Sequence, residues 1–322
     1  MSPRARVVAV VALVAAVATA AVVGIAARSG GEPSAASKLT PRAGAPPLAL
    51  DLGIRTDADA ASLRRALGLY TSGKRSSAAR LFARSSSLEG KVGLAVARWP
   101  DGTLDTLTRL AAANPHSGVV LLNLGIARLW AGKPGSVEAW RRVASVQPDS
   151  AYAVTAGNLL YPSYNRDLPI FVPAETAPAS LAGKAAAEQL AILRHNAASG
   201  SAKDKLLYGV ALQRVFRPVS ASREFDAAAS QAPNDAEAQT AAAVGRFDKA
   251  NLSASFSRLG PLTKRFPQSA TVRFHLGLLL LWIGSVKEAE KQLKLATKVE
   301  PGSPLAREAA RYLTTLRGVS TG

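Results

Sequence analysis

From residue 56 onward, apolar side chains recur three or four positions apart, with charged and small polar residues between them. That period predicts amphipathic α-helices. A composition rich in Ala and Leu, with few β-branched runs beyond the N-terminus, agrees with it. Two stretches break the pattern. Val7–Ala27 is apolar without a charge, follows Arg4 and Arg6, and has the roughly twenty residues that a bilayer span requires. It predicts a membrane segment over 1–28 with its N-terminus inside. A retained signal anchor and a signal cleaved after Ala20 or Ala26 both fit, and both place the rest of the chain outside the cytoplasm. The second stretch, "HLGLLLLWIG" (His275–Gly284), is too short to span and is flanked by Arg273 and Lys287. It predicts a helix enclosed by its neighbours. Residues 29–55 are rich in Gly, Ser, Ala and Pro and show no apolar period, as expected of a flexible linker. Only its end, Leu48–Ile54, is apolar enough to dock on the first helix.

The helical region repeats. Pro233, Pro267 and Pro301 stand 34 residues apart. Gly209, Ala221, Phe225, Ala228 and Pro233 are separated by 12, 4, 3 and 5 residues, and Gly277, Ala289, Leu293, Ala296 and Pro301 repeat those intervals. Ala243, Ser255, Leu259, Leu262 and Pro267 keep the spacing with looser chemistry. Small residues let two antiparallel helices approach, a bulky residue one turn later fills the layer between hairpins, and proline ends the second helix. Each such hairpin leaves an apolar face that only its neighbour covers, which implies an array. Weaker ladders lie upstream, among them Gly125, Ser136, Trp140, Val143 and Pro148, then Thr103, Leu107, Leu110 and Pro115, and then Ala66, Ala78, Phe82 and Ser85.

This ladder resembles the tetratricopeptide repeat family, whose unit is a 34-residue helix hairpin stacked into a right-handed superhelix. The resemblance is strongest over 202–303. It implies an all-α solenoid of about seven hairpins over 56–317, interrupted by an insertion at 162–179. A closing helix near Ser303–Leu316 and a tail at 318–322 complete it. Gly260-Pro261 falls inside a second helix, where proline is expected to kink it.

Charge and chemistry narrow the function classes. Forty Lys and Arg against twenty-two Asp and Glu give +18, and cysteine is absent, which excludes disulfides, thiolate metal sites and a cysteine nucleophile. His116, His195 and His275 are isolated, and neither a glycine-rich phosphate cradle nor a GxSxG elbow occurs. No cofactor, metal or catalytic residue is expected. Basic residues are not interleaved with aromatics, so nucleic acid is not an expected partner.

Two surfaces are candidates for a protein or peptide partner. "YPSYNRDLPIFVP" (Tyr161–Pro173) gathers aromatics and prolines in a chain short of aromatics. It either presents Tyr164, Arg166 and Phe171 to a partner or tucks its aromatics against its own solenoid. The other candidate follows from the resemblance, because first helices of that family line a concave groove that binds peptides. Five residues after each small residue, that groove position holds Trp130, Arg214, Asp248 and Trp282. For the two tryptophans, packing between hairpins is the competing role. The expected function is a non-catalytic interaction scaffold of a bacterial envelope, anchored in the cell membrane or secreted after cleavage. A basic module for anionic polymers or lipid headgroups is the alternative. Oligomeric state is not legible in the residues.

Overall fold

In a computed structural model of the chain, residues 40–174 and 178–320 are described. The expected membrane segment 1–28 lies outside these residues. Among them, no helix is long and apolar enough to cross a membrane. The chain divides into two compact units, 1–147 and 148–322.

The first unit opens with extended chain over 40–54. Six helices follow: α1 (Ala58–Thr71), α2 (Arg75–Phe82), α3 (Leu88–Ala97), α4 (Thr103–Ala113), α5 (Gly118–Trp130) and α6 (Ser136–Val146). They pair as three antiparallel hairpins, and the first helices α1, α3 and α5 also pack on one another in order. Local chemistry sets the starts. Asp57 and Ser87 accept from the amides of Ala60 and Gly90, as helix N-caps do.

The second unit begins with α7 (Ala151–Leu160), continues through turns and extended chain to residue 174, and from residue 178 passes a 3₁₀ turn at Ala179–Leu181 before α8 (Ala186–Ser199). Three hairpins then follow: α9 (Ala202–Arg214) with α10 (Pro218–Gln231), α11 (Ala236–Gly245) with α12 (Ser253–Arg265), and α13 (Ala270–Trp282) with α14 (Val286–Val299). The closing helix is α15 (Pro304–Ser320), packed on α13 and α14. Helix α8 packs on α9 and is separated from α7 by the extended segment. The described residues thus hold six hairpins rather than about seven. Helix α12 runs through Pro261 without interruption.

The ladder residues do what their sizes dictate. A Cβ on Gly209 would lie 2.3 Å from the Phe225 ring, and one on Gly277 would lie 2.9 Å from Leu293. Ala221, Phe225, Ala289 and Leu293 are fully buried. Where the second helix carries Thr103 or Ser255 instead of Ala, the hydroxyl is buried and donates to a first-helix carbonyl, Ala95 at 2.8 Å and Ala243 at 2.7 Å. At those two positions the buried hydroxyl has its hydrogen bond, whereas Ser136 at the same place in α6 is buried without one. Helix α13 contains the "HLGLLLL" run, with Phe274, His275, Gly277, Leu278 and Leu279 buried.

Gly209→Ala should lower unit stability by about 1–3 kcal/mol through overpacking against Phe225. Gly68→Ala, in α1 with nothing within 4 Å of the added Cβ, should stabilise by about 0.5–1 kcal/mol. Thermal denaturation of the two variants against the wild type reads both signs.

Candidate functional site

The first helices of each unit carry a strip of polar side chains, and in each unit an extended segment of the same unit lies across it. In the first unit the segment is Arg42–Ala49. The Arg42 amide donates to the Trp130 carbonyl at 2.8 Å, and the Ala49 amide donates to Asn123 Oδ1 at 3.0 Å. Asn123 Nδ2 donates to the Ala49 carbonyl and to Val119 of its own helix, both at 2.8 Å. The Tyr70 hydroxyl of α1 donates to the Pro46 carbonyl, and burial raises its pKa to about 12.

In the second unit the segment is Asn165–Ala174. The Asn165 amide donates to the Trp282 carbonyl at 3.2 Å, and its side chain donates to the Leu281 carbonyl at 3.2 Å. The amides of Phe171, Val172 and Ala174 donate to Gln213 Oε1 (2.9 Å), His275 Nε2 (2.9 Å) and Glu237 Oε1 (2.7 Å). Those acceptors come from α9, α13 and α11, so all three first helices hold the segment. His275 Nδ1 lies 2.7 Å from the Thr271 carbonyl. That bond places the proton on Nδ1 and leaves Nε2 as the acceptor. The Phe171 ring is fully buried, stacked on His275 at 4.7 Å and edge-on to Phe225 at 5.7 Å.

The two segments, here straps 1 and 2, share one register. Arg42 and Asn165 meet equivalent tryptophan carbonyls, and seven residues later Ala49 and Val172 meet Asn123 and His275. Between these points each strap turns through a left-handed residue at the same place, Gly44 (φ 75°) and Asp167 (φ 60°). Each then buries a proline at the same place, Pro46 and Pro169. The helical partners match as well. Asn123 and His275 both precede the close-contact glycine by two residues, and both bond the carbonyl four residues back. Tyr70 and Gln213 both follow the small ladder residue, Ala66 or Gly209, by four.

Strap 2 has one more anchor. The Asp167 amide donates to Asn158 Oδ1 at 2.8 Å, and Asn158 Nδ2 returns a bond to Asp167 Oδ1 at 3.1 Å. Lys249 Nζ, buried, donates to the same Asn158 oxygen at 2.6 Å. Burial lowers the Lys249 pKa to about 8, against the opposing pull of Asp167. Burial likewise lowers His275 to about 4, and the Thr271 carbonyl offsets part of that.

The seven partner candidates fall into two groups. Phe171 is enclosed under strap 2, and Trp130 and Trp282 are half-buried. The carbonyls of both tryptophans are taken by the straps, and their indole N–H groups are buried without a hydrogen-bond partner. The Arg42 guanidinium sits 4.8 Å over the Trp130 ring, while Trp282 packs between two core clusters. The second group reaches solvent. Arg214, Asp248 and Arg166 are exposed, and Tyr164 is half-buried against Tyr161 with ring centres 6.4 Å apart. Among the described residues no cluster of His, Asp and Glu is arranged to hold a metal.

Sequence reasoning missed Asn123, Gln213, Glu237 and His275 as strap anchors. A signal existed. "NLGIARLW" (Asn123–Trp130) and "HLGLLLLW" (His275–Trp282) align with Leu, Gly, Leu and Trp in common, and each starts with a polar residue inside an apolar helix.

No family model and no curated protein matches the chain. Solved structures of tetratricopeptide repeat proteins do. YrrB, described as a TPR protein with an unusual peptide-binding site, is 14% identical over 65% of this chain and 99% of its own, with a TM-score of 0.32. TTC0263, a TPR protein of Thermus thermophilus, is 18% identical over 58% of this chain and 98% of its own, with a TM-score of 0.27. Human IFIT1, solved as a dimer with PPP-AAAA, is 14% identical over 81% of this chain and 64% of its own, with a TM-score of 0.34.

Phe171→Ala should cost about 3–5 kcal/mol, because it empties a closed aromatic site. Ile170→Ala, at a neighbouring side chain that is 38% exposed, should stay within about 0.5 kcal/mol. Urea unfolding of the two variants makes the comparison.

Proposed function

We propose that this chain is a non-catalytic interaction scaffold of a bacterial envelope, tethered by its N-terminal apolar segment, with hairpin arrays that recognise protein segments in extended conformation. The observation that supports it most directly is chemical. Each unit already holds an extended segment across its first helices through main-chain N–H donors and, in strap 2, an inserted aromatic side chain. Main-chain pairing for affinity and a pocket for one side chain is how extended peptides are recognised in general.

The proposed contact residues of the second unit are the exposed Arg214, Asp248, Arg166 and Ile170, with the half-buried Tyr164. The +18 charge favours a second reading, capture of anionic polymers or headgroups by diffuse charge. Salt separates the two, since screening weakens diffuse attraction steeply and a seated segment much less.

The test is crosslinking of the full-length membrane form followed by mass spectrometry. Wild type should capture a defined protein at physiological salt. Arg214→Glu with Asp248→Arg should reduce capture at least tenfold with an unchanged melting temperature. Capture that survives the double substitution and removal of the Tyr164 and Arg166 side chains rules out this surface. Loss of all capture between low and physiological salt favours the polyanion reading. Recovery of the intact N-terminal peptide from the membrane fraction supports the tether, and its absence removes it.

A further inference from the structure

The two straps are the same device with one difference that matters chemically. The acceptor for the strap amide is an amide oxygen in one unit (Asn123 Oδ1) and an imidazole nitrogen in the other (His275 Nε2). An amide does not titrate in the accessible range, whereas an imidazole does. We propose that strap 2 is a proton-released latch, which leaves the groove of the second unit when His275 takes up a proton, while strap 1 is its permanent counterpart.

The geometry leaves a protonated ring no alternative partner. Nδ1 already faces the Thr271 carbonyl, and Nε2 faces the Val172 amide. A proton on Nε2 would set two donors against each other at 2.9 Å. It would also place a charge in a fully buried site stacked on Phe171 and edge-on to Phe274, 5.0 Å away. Such a charge is costly unless it is paired. The ionisable groups on the elements around His275 do not pair with it. Strap 2 contributes Asp167, bonded to Asn158, and the exposed Arg166, while Arg273 of α13 itself donates to Gln292 of α14 and the Thr263 carbonyl of α12. Helix α11 contributes Glu237, bonded to the Ala174 amide. Helix α15 contributes Tyr312, edge-on to Phe274, with Glu308 near it.

The sign follows from linkage. Closed, the ring is held down near pH 4, while an exposed histidine titrates near its ordinary value of 6.5. Protons therefore favour the open strap. The His275 contribution to closure is complete above the ordinary histidine range and is lost as pH falls towards about 4. Opening uncovers a slot lined by Gln213, Glu237, His275, Phe225 and the Trp282 carbonyl. This inference stands apart from the identity of any partner, because the strap itself is the readout.

The experiment is amide hydrogen exchange on the full-length chain in detergent, expressed as protection factors from pH 7 to 4. Protection at Phe171, Val172 and Ala174 should fall roughly tenfold per pH unit between about 6 and 4. Amides of α9, α11 and α13 should keep theirs, as should Ala49 in strap 1. His275→Asn, the residue used by the first unit, should flatten the profile with the strap still closed. Glu237→Gln, which keeps an acceptor, should leave the step in place. Asn123→His should install a matching step at Ala49, and it decides the matter if His275→Asn fails to fold. The proposal is overturned by a wild-type strap without a pH step, by helices that lose protection together with it, or by a step that survives His275→Asn. An Asn123→His chain without a new step also overturns it.

Discussion

Everything in this fold depends on how closely the two helices of a hairpin approach. Phe225 can be fully buried because Gly209 has no side chain, and Leu293 uses the same space against Gly277. The approach does more than fill space. With the second helix drawn tight on one side, the first helices α9, α11 and α13 pack in series, and Gln213, Glu237 and His275 become available to one continuous segment.

The straps answer a problem that such arrays share. The strip along the first helices contains apolar surface and polar atoms that require partners, and burying either half without the other is unfavourable. An extended peptide solves both, since its amides satisfy the acceptors while Pro46, Pro169 and Phe171 cover the apolar part. In this chain the solution is intramolecular and used twice. The cost differs between the copies. Gly44 adopts the left-handed turn freely, whereas Asp167 does so as an L-residue, a conformation that its bonds with Asn158 help to hold.

The hairpins were legible in the sequence because their signal is periodic and steric: proline every 34 residues, with small and bulky residues at fixed intervals between. The hairpin count was less so. The 85 residues from Pro148 to Pro233 amount to two 34-residue units and a 17-residue insertion, which implies a hairpin where α7 and α8 in fact remain apart with strap 2 between them. The straps were not legible as straps. Small residues and prolines without a period look alike whether a segment is a free linker or is captured by acceptors 74 or 103 residues away. For residues 40–55, the described part of the expected flexible linker 29–55, the structure shows capture at Arg42, Pro46 and Ala49. The groove candidates reflect the same gap. Trp130 and Trp282 meet the straps through their carbonyls, which no side-chain pattern reveals. Phe171 stood between presentation and burial in the sequence, and long-range packing decided for burial.

Each strap also changes how its unit is wired. Stacked hairpins are coupled only to their neighbours, so such arrays can fray from an end or fold piece by piece. Strap 2 connects α9, α11 and α13 directly, through contacts 42, 63 and 103 residues apart in sequence. It turns an open row of modules into a closed loop in which the last hairpin cannot peel away without breaking bonds made from ahead of the first. The consequence is kinetic as well as structural. Long-range closure slows folding, and a chain that accepts this delay twice gains two blocks whose hairpins cannot fray one at a time while their straps are seated.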